Sequence, residues 1–327
     1  MECSIYDENL TRLGVISTFV SLVWEERYAD CGTFQISVVQ IDGISDLLKP
    51  DRYVGIKSSD TLMIIKSVQI IDKRVVADGY AAVNLLSDRV SVDVVSNTNA
   101  ESAMRGLVQR MNPWPRVELG AVSGLADVFT AQKSDATILD YCRAIGEAAD
   151  MGFKLRYDRI TKKLLFECYK PAKNPNLRFS TLYGNMGGIE YSNSTANYKN
   201  VAVVAGAGEG ENRITVYAGD TSSIGTQRRE MYVDARQDQP QEGETTEEYK
   251  ARLVRIGEEK LLGQVKIENF KFILDDDRAK LGDIVSCAIP EIGVKLEVRI
   301  TGITLTSQNN QNTIEASMGT PIVIRRY

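Results

Sequence analysis

Apolar and polar residues alternate in short runs through most of the chain and fall into helical spacing at only a few places. Gly32 to Val38 puts Phe34, Ile36 and Val38 on one face, the two-residue period of a half-buried strand. Tyr53 to Lys57 alternates again. Leu62 to Ile71 is a β-branched run that turns at Asp72-Lys73 and returns from Arg74 to Tyr80 as a hairpin arm. Ala81 to Leu86 carries helix formers and predicts a short helix. Many short strands divided by turns predict a small barrel or sandwich, and the polar stretch Ser96-Asn97-Thr98-Asn99 marks a boundary after it.

Helical spacing first appears from Ala100 to Met111, where Met104, Leu107, Val108 and Met111 form a stripe that Pro113 and Pro115 stop. A second stripe, Ile138, Tyr141, Cys142, Ile145 and Ala149, predicts a helix capped by Ser134 or Asp135 and ended by Gly152 in the left-handed conformation. A hairpin follows, with Phe153, Leu155 and Tyr157 on one arm, a turn at Asp158 to Thr161, and Leu164, Phe166 and Cys168 on the other. Residues 100–170 therefore read as a small α/β unit.

Pro171 and Pro175 open a linker-like stretch. Strands resume at Val201 to Ala205, Arg213 to Tyr217 and Arg229 to Val233. After the polar loop Asp234 to Gly243, Thr245-Thr246-Glu247-Glu248 has the spacing of a capping box. The helix it opens runs to about Leu262, with Tyr249, Leu253 and Ile256 on one stripe and Gly263 as its stop. From Val265 onward the pattern is strand-like, with a turn at Asn309 to Asn312. The expected order is β, α/β, β, one helix, β.

Composition narrows the function classes. The 327 residues are 43% hydrophobic and 25% charged, with a formal net charge of −5, as in a globular protein without a basic footprint for nucleic acid or an anionic bilayer. No apolar run is long enough to span a membrane, and MECSIYDENL has neither the basic start nor the apolar core of a secretory signal. Folding in the producer's cytoplasm is therefore expected. Cys3, Cys31, Cys142, Cys168 and Cys287 are odd in number and never spaced CxxC, as expected of free buried thiols. Histidine is absent, which removes His-based nucleophilic catalysis and His-containing zinc sites.

The remaining candidates read as structure. Gly206-Ala207-Gly208-Glu209-Gly210-Glu211 lies between strands, lacks the Lys-Ser/Thr of a phosphate loop and carries two glutamates that repel phosphate; a hairpin turn is expected. Asp275-Asp276-Asp277 lacks alternating ligand spacing and a distal Glu, and is read as a turn. Trp114, between two prolines, is read as covering a core edge. No catalytic, cofactor or metal residue is assigned, and no cofactor is expected.

Several segments taken together resemble the hub proteins of siphophage tails, the N-terminal hub region of tail-associated proteins, and the related hubs of contractile tails and tail-like bacteriocins. They are Tyr6-Asp7-Glu8-Asn9-Leu10-Thr11-Arg12-Leu13-Gly14-Val15-Ile16; Ser21 to Tyr28; Cys31-Gly32-Thr33-Phe34-Gln35-Ile36, similar to a Gly-x-Phe-x-Leu strand; Gly79-Tyr80 followed by Leu85-Leu86-Ser87-Asp88-Arg89; and Lys280-Leu281-Gly282-Asp283-Ile284-Val285, similar to a Leu-Gly-Asp-x-Val strand entry. The resemblance implies an α+β, mainly β fold with two tube-like β-barrel domains and a small α/β domain. The expected divisions are 1–97 for the first barrel, 98–175 for the α/β domain and 176–327 for the second barrel with one inserted helix. It implies a homotrimeric ring in the virion tail, partnered by a tail tube protein, a spike or tail-tip protein and other baseplate proteins. Such a ring binds no specific nucleic acid, inserts in no membrane and is not an enzyme. The chain stops soon after its last strands, which fits a bare hub without an adhesive or lytic extension. Two other readings remain: a cell-wall hydrolase acting through carboxylates, and a glycan-binding module using Trp24 or Trp114.

Overall fold

A computed structural model describes residues 1–327 apart from 92–97, 111–115, 130–135, 263, 265–266, 275–277, 309–310, 319–321 and 327. The chain divides into two compact units, one of Met1–Glu190 with Phe270–Tyr327 and the other of Tyr191–Asn269. The second is thus an insertion within the first.

The first unit begins with β1 (Cys3–Tyr6), β2 (Arg12–Ile16), β3 (Ser21–Arg27) and β4 (Thr33–Val39), then the short α1 (Ile44–Leu47), β5 (Tyr53–Ile56), β6 (Leu62–Ile71) and β7 (Arg74–Ala81). Alternation becomes burial as expected: Phe34 and Ile36 of β4 are buried while Thr33 and Gln35 are exposed. Asp72 and Lys73 both take positive φ, 49° and 61°, as a two-residue hairpin turn requires. The expected short helix is a 3-10 turn from Ala82 to Asp88.

Two small ladders lead into the α/β region: β8 (Val90–Ser91), β9 (Thr98–Asn99), α2 (Ala100–Arg110), β10 (Val117–Leu119), β11 (Val128–Phe129), β12 (Ala136–Thr137), α3 (Ile138–Ala149), β13 (Gly152–Asp158) and β14 (Lys163–Tyr169). Strands β10, β14 and β13 form a three-stranded sheet. Its apolar residues share one core with the preceding strands, running from Cys3 and Trp24 through Tyr141 and Phe153 to Cys168.

Both ends of α3 differ from expectation. Thr137 caps its start, in a reciprocal capping box with Asp140; Ser134 and Asp135 lie outside the described residues. Asp150, at φ 50°, supplies the left-handed residue at its end, and Gly152 is already in β13. Asp tolerates that conformation. Gly152 serves a different need, since a Cβ there would lie 2.5 Å from the Tyr28 ring.

The linker-like stretch around Pro171 and Pro175 is also corrected. Residues Lys173–Ser180 form β15, parallel to β21 (Ile284–Ile289). The register slips between Lys173 and Arg178, and Pro175 falls in that slip, where a missing N–H costs no ladder bond.

The second unit starts within β16 (Met186–Ser194) and holds β17 (Val201–Ala205), β18 (Thr215–Gly219), β19 (Glu230–Asp234) and α4 (Thr246–Leu262). Central β17 pairs antiparallel with β18 and parallel with β19. The capping box is present: the Glu248 N–H donates to the Thr245 hydroxyl at 3.3 Å and the Thr245 N–H to the Glu248 carboxylate at 2.9 Å. Tyr249, Leu253 and Gly257 face the sheet, Gly257 so closely that a Cβ would lie 2.6 Å from that of Ala218. The Tyr249 hydroxyl accepts from Ala207 N–H at 2.7 Å and donates to the Asp238 carbonyl at 2.6 Å. Replacing Tyr249 by Phe strands both groups, and a loss of about 1–3 kcal/mol is expected in urea unfolding.

The first unit resumes with β20 (Ile267–Leu274), β21, β22 (Val294–Gln308), β23 (Gln311–Met318) and β24 (Ile322–Arg326). Strand β22 is the hinge pin of the architecture. Its first half pairs with β21 and β24, while Gly302–Gln308 pairs with Arg27–Ser21 of β3. The path β16-β20-β23-β22-β3-β4-β7-β6-β5-β1-β2, with β15, β21 and β24 attached, is one 14-stranded sheet. A second core lies on its C-terminal part, around Leu177, Phe179, Val285, Leu296 and Ile300. The fold is mainly β with few helices, as expected.

Candidate assembly and binding surfaces

The candidate chemistry resolves into structure. The Gly206–Glu211 segment connects antiparallel β17 and β18, so it is the expected hairpin connection. Gly208 has φ 98° and Gly210 φ 55°, conformations that glycine adopts freely. Trp24 is 2% exposed, packs against Phe34 and donates its indole N–H to Glu26 at 3.0 Å. Its ring offers no face to a sugar, which overturns the glycan-binding role considered for Trp24. Trp114 and Asp275-Asp276-Asp277 lie outside the described residues.

All five cysteines are free and buried. Burial pushes the thiols of Cys3, Cys31, Cys168 and Cys287 up to about 12. Native protein is expected to resist a thiol-specific disulfide reagent at neutral pH and to react at five sites once denatured. Unfolded thiols ionise near 9 and these folded ones only near 12. The unfolded chain therefore releases protons first, and stability falls as pH rises from about 9 towards 12. A midpoint that stays constant across that window contradicts the burial.

Carboxylates are engaged too. Glu101, 2% exposed, accepts the backbone N–H groups of Ser123 at 2.7 Å and Leu125 at 2.9 Å, pinning the loop beside α2. Among the described residues no group of three or more acidic or cysteine side chains is arranged to hold a metal ion. No helix among them is long and apolar enough to cross a membrane.

What the molecule offers is surface. On β2, an end of the sheet path, Leu13 and Val15 are 42% and 40% exposed. At the β6–β7 hairpin tip, Ile70 and Ile71 are exposed, and so are Val39 and Ile41 at the end of β4. Val39 and Ile71 each pair with Arg74, which sets all three on one face. In the second unit, Tyr217 and Tyr232 flank Val203 on the face of the sheet away from α4, with the Arg228 guanidinium 5.6 Å from the Tyr217 ring centre. Sequence reasoning missed these residues, because a β-branched run looks the same whether both ends are buried or one end projects. The signal available was the length of β6, whose ten residues outrun its buried half.

The first unit also holds a groove of about 700 Å³. Lys57, Ser58, Ser59 and Asp60 form one wall with Lys154 and Arg159, and Lys280 and Leu281 line it too, with Ile303. Arg159 donates to the carbonyls of Ile56 and Ser59 at 3.1 and 3.0 Å. Lys154 pairs with Asp60 at 3.0 Å. Glu26 accepts from Trp24, Ser59 and Thr61.

No curated protein sequence matches the chain. The sequence pattern described as Siphovirus ReqiPepy6 Gp37-like protein matches residues 2–320. The chain belongs to that siphovirus family. Solved structures agree on the fold. A prophage MuSo2 43 kDa tail protein from Shewanella oneidensis superposes with a TM-score of 0.62 at 10% identity, covering 98% of each chain. A tail protein from Neisseria meningitidis MC58 gives 0.59 at 12% identity, over 97% of this chain and 95% of that one. The prophage tail protein gp18 from Listeria monocytogenes EGD-e gives 0.54 at 10% identity, over 100% and 95%. The siphovirus Gp37-like chain thus shares its fold with phage tail proteins over nearly its whole length.

Proposed function

We propose that this Gp37-like protein is a structural tail or baseplate hub: a threefold ring that joins the sixfold tail tube to a threefold spike or tip. In this reading residues 1–97 and 176–327 supply the two tube-like barrel segments of each subunit, with 98–175 as the α/β segment beside them. The observation that carries it is β22, whose two halves knit the N-terminal and C-terminal strand sets into one sheet. A subunit built that way presents two β-rich segments in fixed relation, and three copies around an axis give six, the count a sixfold tube needs. A heterologous contact that closes after three steps makes such a ring. Exposed strand edges such as β2 and apolar residues such as Leu13, Val15, Ile70 and Ile71 are the kind of surface that closure covers. The reading assigns the chain no covalent chemistry, and its partners are the tube protein, the spike or tip and neighbouring baseplate proteins.

Native mass spectrometry of the purified chain, alone and with tube and spike proteins, tests this. A trimer is expected, either alone or once a partner is added. A monomer that persists with both partners present rejects the ring. Peptidoglycan zymography of the same sample is expected to show no lysis band; a band abolished by one Asp or Glu substitution replaces the hub with a hydrolase.

A further inference from the structure

We propose that the groove between Lys57, Arg159 and Lys280 binds an acidic peptide segment of a partner protein. This names the chemistry of one partner contact and rests on the hub reading for what that partner is. The charges of the described residues that line the groove are unbalanced. Four cations, Lys57, Lys154, Arg159 and Lys280, face two carboxylates, Glu26 and Asp60, in a chain whose formal net charge is −5. Both carboxylates are already engaged, Asp60 by Lys154 and Glu26 by the indole N–H and two hydroxyls. Lys57 and Lys280 carry no ion pair among the described residues, and Arg159 spends its donors on backbone carbonyls that leave its charge uncompensated. The complementary ligand is therefore an anion.

The rest of the lining decides what kind of anion. Ala279, Leu281 and Ile303 add apolar surface beside the cations. A sugar-phosphate strand has no aliphatic side chains to cover that surface, whereas a peptide alternating acidic and aliphatic residues covers it and meets the lysines at once. The volume of about 700 Å³ is that of a small-ligand site, room for a few peptide residues at a time. One wall is preorganised: Arg159 ties down the 56–59 loop and Lys154 holds Asp60, so binding orders little.

Fluorescence anisotropy of the whole chain with a fluorescein-labelled decapeptide alternating Glu and Leu tests the proposal. Saturable binding is expected at low salt, weakening as ionic strength rises. The double substitution Lys57→Glu with Lys280→Glu is expected to raise Kd by about tenfold or more. Lys260→Glu with Lys295→Glu makes the same charge change outside the groove and is expected to leave Kd within about twofold. Thermal melts of both variants confirm folding. Absence of saturable binding, equal loss in both double variants, or equally tight binding of a labelled oligothymidylate overturns the proposal, the last by assigning the groove to phosphate polymers. Western blotting of purified tails separates the two readings. Wild-type chain present in tails without peptide binding removes only the groove; wild-type chain absent from tails removes the hub itself.

Discussion

Replacing Gly79 by alanine is expected to leave little soluble protein, or to lower the melting midpoint by about 10 °C or more, a loss above about 4 kcal/mol. Gly79 lies in the middle of β7 with no positive φ to explain it, and its partner strand explains it instead. The β6–β7 register slips between Ile65 and Ser67, and the bulge carries the Ile64 carbonyl over Gly79. A Cβ at Gly79 would sit 1.9 Å from that oxygen and 2.9 Å from the Lys66 nitrogen. Both obstacles are backbone, so relief requires breaking the ladder between two central strands. Gly106→Ala supplies the contrast. Gly106 is inside α2 with no described residue within 4 Å of the place a Cβ would take, and its substitution is expected to stabilise by about 0.5–1 kcal/mol. Circular-dichroism melts of the two variants read both signs; a Gly79→Ala protein that melts with wild type refutes the close approach.

Arg299→Ala is the second large effect, with a loss of about 2–5 kcal/mol expected from the two carbonyls it strands. Arg299 of β22 stacks on the Tyr28 ring with its guanidinium carbon 4.9 Å from the centre. It donates to Asp150 at 2.7 Å and to the carbonyls of Pro171 at 3.2 Å and Gly282 at 2.5 Å. Tyr28 in turn donates to the Asp150 carbonyl at 3.1 Å and meets the Tyr169 ring edge-on at 5.3 Å. One cation thus fastens the end of β3, the turn after α3, the end of β14 and the entry to β21. The Arg299 side chain is 10% exposed and that of Asp150 is 57% exposed, so the two ends of the pair differ. Truncating Arg299 strands two carbonyls and uncovers a tyrosine, whereas Asp150→Asn keeps those contacts and an amide oxygen facing the guanidinium, and is expected to cost less than half as much. Arg299→Lys keeps the charge but not the fork and is expected to recover less than half of the loss. Urea midpoints for the three variants check that order, and equal losses for Arg299→Ala and Asp150→Asn reject it.

How legible the fold was depends on how far apart the interacting residues lie. The Asp72-Lys73 turn, the Thr245–Glu248 capping box and the β13–β14 hairpin involve neighbours, and their residues announce them. The sequence points to Ser134 or Asp135 for the start of α3 because a Thr-x-x-Asp box at Thr137 is less conspicuous than one ending in Glu. Gly152 reads as a helix stop because glycine has two uses, and only the nearby Tyr28 ring shows which applies. Gly32 and Gly79 carried part of the resemblance as pattern alone. The structure gives them a shared cause, since a Cβ on Gly32 would lie 2.0 Å from the Glu25 carbonyl. The separate packing of residues 191–269 left no compositional mark because its limits fall inside β16 and β20. The surfaces were the least legible part: exposure of Ile70 and Ile71 depends on how far β6 outruns its neighbours.

The seam between β22 and β3 also fixes when the molecule is finished. Ser21–Arg27 leaves the ribosome early, yet its partners at Gly302–Gln308 follow some hundreds of residues later. At about 5–20 residues per second, that is a delay on the order of 15–60 s during which one flank of β3 stays unsatisfied. Burst expression of this chain at high copy number would multiply nascent strands waiting side by side, and slower growth temperature or a bound chaperone would relieve the crowding.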